Sequence, residues 1–379
     1  MTPKKKVLVL TDHMPWGHRS IAKAVYGYLK NKEKESNYKV YYEEVEPNIG
    51  LAGDLYSFIY RYMPSSNRIA HRFFENKTAR GFVEEISVMN LPKLKKNVEK
   101  LKPDLIISAY FFHSHSLVKL REKTNQKFKL WNIVADPWTV NPITFVKGAD
   151  LSLVYDEVAE KMAQKYGIEC DKILKTGWWV RPEMYTKYDR EKSRKKLGFN
   201  DDRPVIFVGG GSLGTNSLTR ILPILMLVKN KVGVVFNTGT DKLGYNMVQE
   251  FIKLFKKLRK DDLVVIKNLG WIDNMAEVLS ACDIVFGKAG PNFLFDVVAT
   301  EKPFVAITHI GGQEDGNLVL IKRKKLGWIK EKNGLASEFL ARYIKNPSLF
   351  KDKFKETIEK EAINNSKSLE LVWEKANSI

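Results

Sequence analysis

Residues 205–214 read Val205-Ile206-Phe207-Val208-Gly209-Gly210-Gly211-Ser212-Leu213-Gly214. Four consecutive apolar residues, three of them β-branched, suit a strand buried on both faces. The glycines end it in a turn, and a helical apolar period begins beyond them. The same order recurs along the chain. Downstream, short apolar runs stand at 232–236, 264–266, 284–286 and 304–307, with helical patterns at 247–258 and 274–280 between them. Upstream, comparable runs stand at 7–10, 105–108, 130–134, 151–154 and 173–175. A charged, proline-containing segment at 181–203 separates the two sets, as linkers do. Strands interleaved with helices predict parallel sheets covered on both faces. The expected fold class is α/β: two Rossmann-like domains with a cleft between them, at 1–188 and 200–345. A helical tail at 346–379 is expected to cross back to the first.

Composition sets the outer limits. The 379 residues suit about two domains, since one core rarely grows past roughly 250 residues. Lys+Arg 63 against Asp+Glu 44 gives +19, yet 44% of residues are apolar, which excludes wholesale disorder. The excess is general: residues 1–190 carry 32 basic and 22 acidic side chains, the remainder 31 and 22. Residues 93–129 are locally richer, with ten basic and three acidic side chains. An anionic membrane face would attract such a chain, and so would nucleic acid. No helix-turn-helix, zinc-finger or RNP-like pattern supports nucleic acid as a partner. Two cysteines, Cys170 and Cys282, exclude a disulfide scaffold and fit a reducing cytosol. Neither has metal-ligand spacing, and both are expected as buried small hydrophobes. No apolar run reaches the ~20 residues that span a bilayer. The run at 7–10 is too short for a secretory signal, so a cytoplasmic, soluble or peripheral protein is expected.

Ligands of parallel sheets bind at the carboxyl ends of the strands. At one such end Gly209, Gly210, Gly211 and Ser212 would let backbone approach a phosphate. The string also satisfies G-x-G-x-x-G, but the next strand ends in Asn237-Thr238, without the acid that a dinucleotide ribose requires. Lys288-Ala289-Gly290-Pro291 follows another strand, with proline at a first helical position, and offers a second phosphate cradle beside a lysine. Asp296 lies a little over one turn further, where a carboxylate could meet a ribose diol or complement the helix dipole. Gln313, Glu314 and Asn317 stand in a glycine-flanked loop that suits vicinal hydroxyls. His18, opening a helix after the first strand, could take a proton near neutrality, and Asp136 is a second base or orienter. His113 and His115 have no third ligand nearby, so no metal is expected.

The stretches to compare are Gly17-His18 with Ala22, Lys102-Pro103-Asp104, and Ala135-Asp136 through Pro142 and Phe145. The second half adds Gly209-Gly210-Gly211, Lys288-Ala289-Gly290-Pro291 and Gly312-Gln313-Glu314 through Asn317. Together they resemble the GT-B glycosyltransferases that add hexose to diacylglycerol. They are similar to monogalactosyldiacylglycerol synthases and bacterial diacylglycerol glucosyltransferases, relatives of the peptidoglycan GlcNAc transferase. The resemblance implies an inverting UDP-hexose transferase with a lipid acceptor, no cofactor and no catalytic metal. It implies that Gly209 to Ser212 and Lys288 to Pro291 flank the diphosphate, and that Asp296 meets the ribose. Gln313, Glu314 and Asn317 would meet the hexose and diphosphate. His18 would serve as base, with Asp136 nearby in the cleft.

The chain departs from that family in four places. Met14-Pro15-Trp16 replaces a glycine-rich loop, and Asn292-Phe293 replaces Gly-Thr or Gly-Ser. Asp296 stands for a glutamate, and Asn141 for a histidine of the plant enzymes. Between them, Tyr56, Phe58, Arg61, Arg68, Arg72 and Phe73 mix aromatics with arginines, as an acceptor-side segment at a membrane interface would. Peripheral placement on the inner face of the cell membrane is the expectation. The rival readings are a transferase to a polyprenyl-linked or other acceptor, a UDP-sugar-binding protein that has lost catalysis, and a nicotinamide oxidoreductase.

Overall fold

The structure, a computed structural model, describes residues 4–14, 17–46, 81, 85, 87–124, 126–209, 217–332 and 334–379. The chain divides into two compact units. The first comprises Met1–Pro182, Gly311–Gly316 and Asn364–Ile379, and the second Glu183–Ile310 and Asn317–Ile363. The boundaries therefore differ from those expected. The tail expected as one piece at 346–379 is shared between the units, and the segment at 311–316 groups with the first.

Unit one is built on strands β1 (Lys5–Thr11), β2 (Tyr38–Glu44), β3 (Leu105–Ser108), β4 (Lys129–Ile133), β5 (Leu151–Val154) and β6 (Ile173–Lys175). They form one parallel sheet in the order β2-β1-β3-β4-β5-β6. The inner strands are mostly apolar and buried because helices cover both faces. Leu8, Leu10, Ile106 and Leu130 meet Leu94, Val98 and Leu117 from helices Leu91–Leu101 and Phe111–Thr124. Each such buried side chain contributes about 1.5–3 kcal/mol. The C-terminal helix Ser368–Asn377 belongs to the same unit. Ser368 Oγ donates to the Trp178 carbonyl (2.8 Å), and Trp373 Nε1 to Ser36 Oγ (2.9 Å).

Unit two carries β7 (Val205–Gly209), β8 (Val232–Asn237), β9 (Val264–Leu269), β10 (Ile284–Lys288), β11 (Phe304–Thr308) and β12 (Gly327–Ile329). All pair in parallel, in the order β9-β8-β7-β10-β11-β12. This is the doubly wound order, in which the first strand lies beside the fourth and the winding reverses between them. The reversal falls between β7 and β10, and in unit one between β1 and β3.

Three expectations need correction. The segment at 181–203 is not a plain linker: it holds helix Arg190–Lys196, whose Arg194 is buried. Its guanidinium donates to the carbonyls of Ala281 (3.1 Å) and Arg203 (3.0 Å) and to Asp283 (2.7 Å), so the buried charge is fully paired. Cys282 is buried as expected, but Cys170 is exposed, in a short 3-10 turn. The strands β2 and β12 were not foreseen. Among the described residues, no helix is long and apolar enough to cross a membrane.

Candidate functional site

In unit one the winding reversal brings the ends of β1 and β3 together. Helix Gly17–Asn31 starts there, and His18 lies in its first turn. Arg19 anchors that turn: its Nε lies 2.7 Å from Glu44 Oε1, which also accepts from the Tyr42 hydroxyl (2.7 Å). His18 Nδ1 stands 2.9 Å from the Ala109 carbonyl oxygen. A carbonyl can only accept, so Nδ1 carries the hydrogen and the neutral ring keeps its lone pair on Nε2. The Tyr110 ring packs edge-on against His18, centroids 5.3 Å apart, and against His113 on another side, 5.0 Å apart. His113 Nε2 donates to the Val45 carbonyl (2.9 Å), and burial pushes its pKa down to about 4, so it stays neutral. His115 Nε2 donates to the Ile143 carbonyl (2.8 Å).

Asp12, at the end of β1, escaped the sequence reading. It is wholly buried, Thr11 Oγ1 donates to its Oδ1 (3.2 Å), and its Oδ2 has no hydrogen-bond partner. Burial raises its pKa, and the neighbouring His18 pulls the other way. An acid immediately after a buried first strand was the available signal.

The loop after β4 is held by its own polar groups. Asn141 caps the 3-10 turn Pro142–Thr144, and Asn132 Nδ2 donates to the Thr144 carbonyl (2.9 Å). Trp138 Nε1 lies 3.0 and 3.2 Å from the Asp156 carboxylate, which caps helix Glu157–Lys165. The backbone N–H of Gly316 donates to Thr139 Oγ1. A Cβ at 316 would come within 2.5–2.6 Å of Thr139 and Trp138, so only glycine permits this approach. The same segment brings the buried Glu314 to Asp136. Removal from water, and then the Glu314 charge, push the Asp136 carboxyl up to about 7. Gln313 and Glu314, expected with the second domain, thus stand in unit one, because the backbone at 316 packs on the loop after β4. The carboxylate acting on Asp136 is that of Glu314.

In unit two the reversal lies between Gly209, the last residue of β7, and Lys288, the last of β10. Gly210, Gly211 and Ser212 lie outside the described residues, as do Trp16 and the segment with Tyr56, Phe58, Arg61, Arg68, Arg72 and Phe73. Beyond Lys288 the chain turns sharply: Ala289 N–H donates to the Thr308 carbonyl and Gly290 N–H to that of Lys288, both at 2.8 Å. Helix Pro291–Ala299 then begins with no side-chain cap, proline occupying its first turn. Asn317 fixes this turn from another element. Its Nδ2 donates to the Ala289 carbonyl (2.8 Å), while its buried Oδ1 has no partner. The arrangement presents a lysine and a helix N-terminus, which together favour an anion.

Phe293, on that helix, lies against the ends of the same two strands. Its ring packs between Phe207 and Phe304, centroids 6.0 and 5.9 Å away, over the glycines at the ends of the two central strands. A Cβ at Gly209 or Gly287 would lie 2.8 or 2.6 Å from it. The departure at 293 therefore packs as a half-buried ring over Gly209 and Gly287. Asp296, on the same helix, acts on Tyr185, whose hydroxyl is raised above its ordinary pKa by burial first and then by Asp296 and Glu361. At the end of β9, Trp271 is exposed, its Nε1 held by Asp273 (2.9 Å). A flat exposed indole at a strand's carboxyl end offers a stacking surface, and nothing in the apolar periodicity marked it. Among the described residues, no group of three His, Cys, Asp or Glu is placed to hold a metal.

Residues 18–180 match the family model of monogalactosyldiacylglycerol (MGDG) synthase, and residues 205–371 match the glycosyltransferase family 28 C-terminal domain. Monogalactosyldiacylglycerol synthase 1 of Arabidopsis thaliana is 27% identical over 344 residues, covering 85% of this chain and 62% of that protein. The processive diacylglycerol beta-glucosyltransferase of Bacillus pumilus is 22% identical, covering 84% and 81%. The chain thus spans about three fifths of the plant relatives' length. In fold it is similar to MurG of Acinetobacter baumannii, TM-score 0.61 at 14% identity, covering 99% of this chain and all of that one. It is equally similar to the UDP-GlcNAc 2-epimerase of Neisseria meningitidis, TM-score 0.61 at 12% identity, with the same coverage. Fold alone therefore does not separate transferase from epimerase. The two family matches favour the transferase.

Proposed function

We propose that this chain, a glycosyltransferase joining a monogalactosyldiacylglycerol-synthase half to a family 28 C-terminal half, moves a hexose from a UDP-sugar to a lipid hydroxyl such as that of diacylglycerol. The observation that carries the reading is the turn at Lys288-Ala289-Gly290-Pro291. It stands at the winding reversal of the second sheet, opens a helix, and is clamped by Asn317. A diphosphate is the ligand best matched to a lysine beside helix amides at such a point.

In the proposed reaction the acceptor oxygen bonds to the anomeric carbon as the bond to UDP breaks, with inversion. His18 Nε2 takes the hydroxyl proton, and UDP leaves with the electron pair. Lys288 and the helix N-terminus stabilise the charge on the leaving diphosphate, work that needs no metal in this proposal. Asp136, Gln313 and Glu314 bind sugar hydroxyls, and Asp296 the ribose. Trp271 supplies an apolar surface for the base. The Bacillus pumilus relative is named for diacylglycerol as acceptor, and a lipid-facing enzyme at the inner face of the cell membrane follows from that reading.

The test is calorimetry with UDP, then a screen of UDP-sugars against a lipid extract read by mass spectrometry. Heat of binding together with a hexosylated lipid, unchanged in yield by EDTA, is expected. Folded protein that gives no heat with UDP overturns the proposal. Heat without product favours a sugar-nucleotide-binding protein, and product on a polyprenyl carrier changes the acceptor.

A further inference from the structure

Helix Lys242–Leu258 of unit two buries one side through Val248 and Phe255. Its outward side is not uniformly polar. Leu243, Met247, Leu254 and Leu258 recur at i, i+4, i+11 and i+15, which at about 100° per residue puts them in one arc of roughly 60°. They are 80%, 37%, 51% and 61% exposed. Leu227, 74% exposed, stands on the turn gripped by Arg259, the residue that closes this helix. Arg259 Nη1 donates to the carbonyls of Leu225 (3.1 Å) and Val228 (2.6 Å). Single exposed leucines need no explanation, but four apolar side chains on one arc of a helix mark an interaction surface.

The neighbouring arc is cationic. The helix carries four lysines and one glutamate, and that glutamate, Glu250, is paired with Lys253 at 2.7 Å. Lys253, Lys256 and Lys257 are exposed. Leucines beside lysines suit a bilayer: the leucines enter the acyl boundary while the lysine stems lie along it and lift their ammonium groups to anionic headgroups. A second copy of this chain is a poorer occupant, because a two-fold contact brings the same net-positive helix from both copies together and supplies no anion for its lysines. We infer that the outward face of helix Lys242–Leu258 docks on an anionic lipid bilayer. The inference deepens the lipid-acceptor reading and rests on it only in taking a bilayer as the working surface.

The test is flotation of the full chain with vesicles of phosphatidylcholine alone and of phosphatidylcholine with phosphatidylglycerol. Wild type is expected to float mainly with the anionic vesicles. Leu254→Glu with Leu258→Glu, both at exposed positions, is expected to lose at least about tenfold of that partitioning. Lys253→Gln with Lys256→Gln and Lys257→Gln, which leaves every apolar contact in place, is expected to lose the preference for phosphatidylglycerol. UDP calorimetry on all three proteins is expected to agree. Wild-type flotation by the double glutamate variant overturns the inference, as does wild type that ignores both vesicles. A dimer that the glutamates dissolve without changing flotation also overturns it. Loss of UDP heat with flotation behaving as expected would remove the donor reading and leave this one standing.

Discussion

His18 Nδ1 lies 2.9 Å from the carbonyl oxygen of Ala109, a residue 91 positions away in the chain. That bond settles the tautomer. The hydrogen sits on Nδ1, so the nitrogen left to accept a proton is Nε2. The two residues meet because β1 and β3 are parallel neighbours and their following loops leave the sheet at the same carboxyl end.

If His18 is the base, removing it must affect the chemical step and leave donor binding alone. His18→Ala is expected to slow transfer by about 10²–10⁴-fold. UDP calorimetry on the same variant should match wild type. Transfer that proceeds undiminished would assign the proton to another group.

The raised carboxyl of Asp136 has a thermodynamic signature. With its pKa at about 7, the folded chain keeps a proton that the unfolded chain releases nearer pH 4. Native protein therefore binds more protons between about pH 4 and 7, and stability falls as pH rises through that window. Asp136→Asn removes the dependence. Melting curves at several pH values should show the variant gaining on wild type up to about pH 7, with a constant gap above it. A gap that does not change with pH would place the carboxyl in its ordinary range.

Asn317 should matter beyond its own hydrogen bond. Replacing it by Asp sets a carboxylate oxygen against the Ala289 carbonyl where Nδ2 now donates. A loss of about 1–3 kcal/mol in stability is expected. UDP affinity should fall with it, since the turn at Lys288 loses its clamp. Equal UDP affinity in a folded Asn317→Asp protein would separate the clamp from the ligand.

Phe293 and the sheet glycines form a testable pair. Gly287→Ala puts a Cβ 2.6 Å from the Phe293 ring and is expected to cost about 1–3 kcal/mol. The same substitution in a Phe293→Ala background should cost much less, giving a coupling of about 0.5–3 kcal/mol in a double-mutant cycle. Simple additivity would mean that the ring does not occupy that space.

Inner strands were readable because burial on both faces leaves a largely apolar run, as in residues 105–107 of β3 and 205–208 of β7. Of the four edge strands, β6 and β9 were readable, but β2 and β12 were not. In β2, Tyr38-Lys39-Val40-Tyr41-Tyr42-Glu43-Glu44 alternates buried and exposed positions and ends in charge, which reads as loop. The segment at 181–203 was misread as a linker because of its charge, which includes Arg194. An arginine's type says surface, and only acceptors at Ala281 and Asp283, together with the Arg203 carbonyl, make its burial tolerable.

The sequence by itself singled out the strand-end loops that bear glycine, proline and histidine, because these are local features with local causes. Strand order is a different kind of quantity. It depends on which apolar faces find one another across tens of residues, and no local pattern encodes it. Only the tertiary structure decided that Gly209 and Lys288 flank one reversal, and that His18 and Ala109 meet at another. It alone set Glu314 against Asp136 in unit one, because a glycine at 316 lets two backbones close to a distance that no other residue allows.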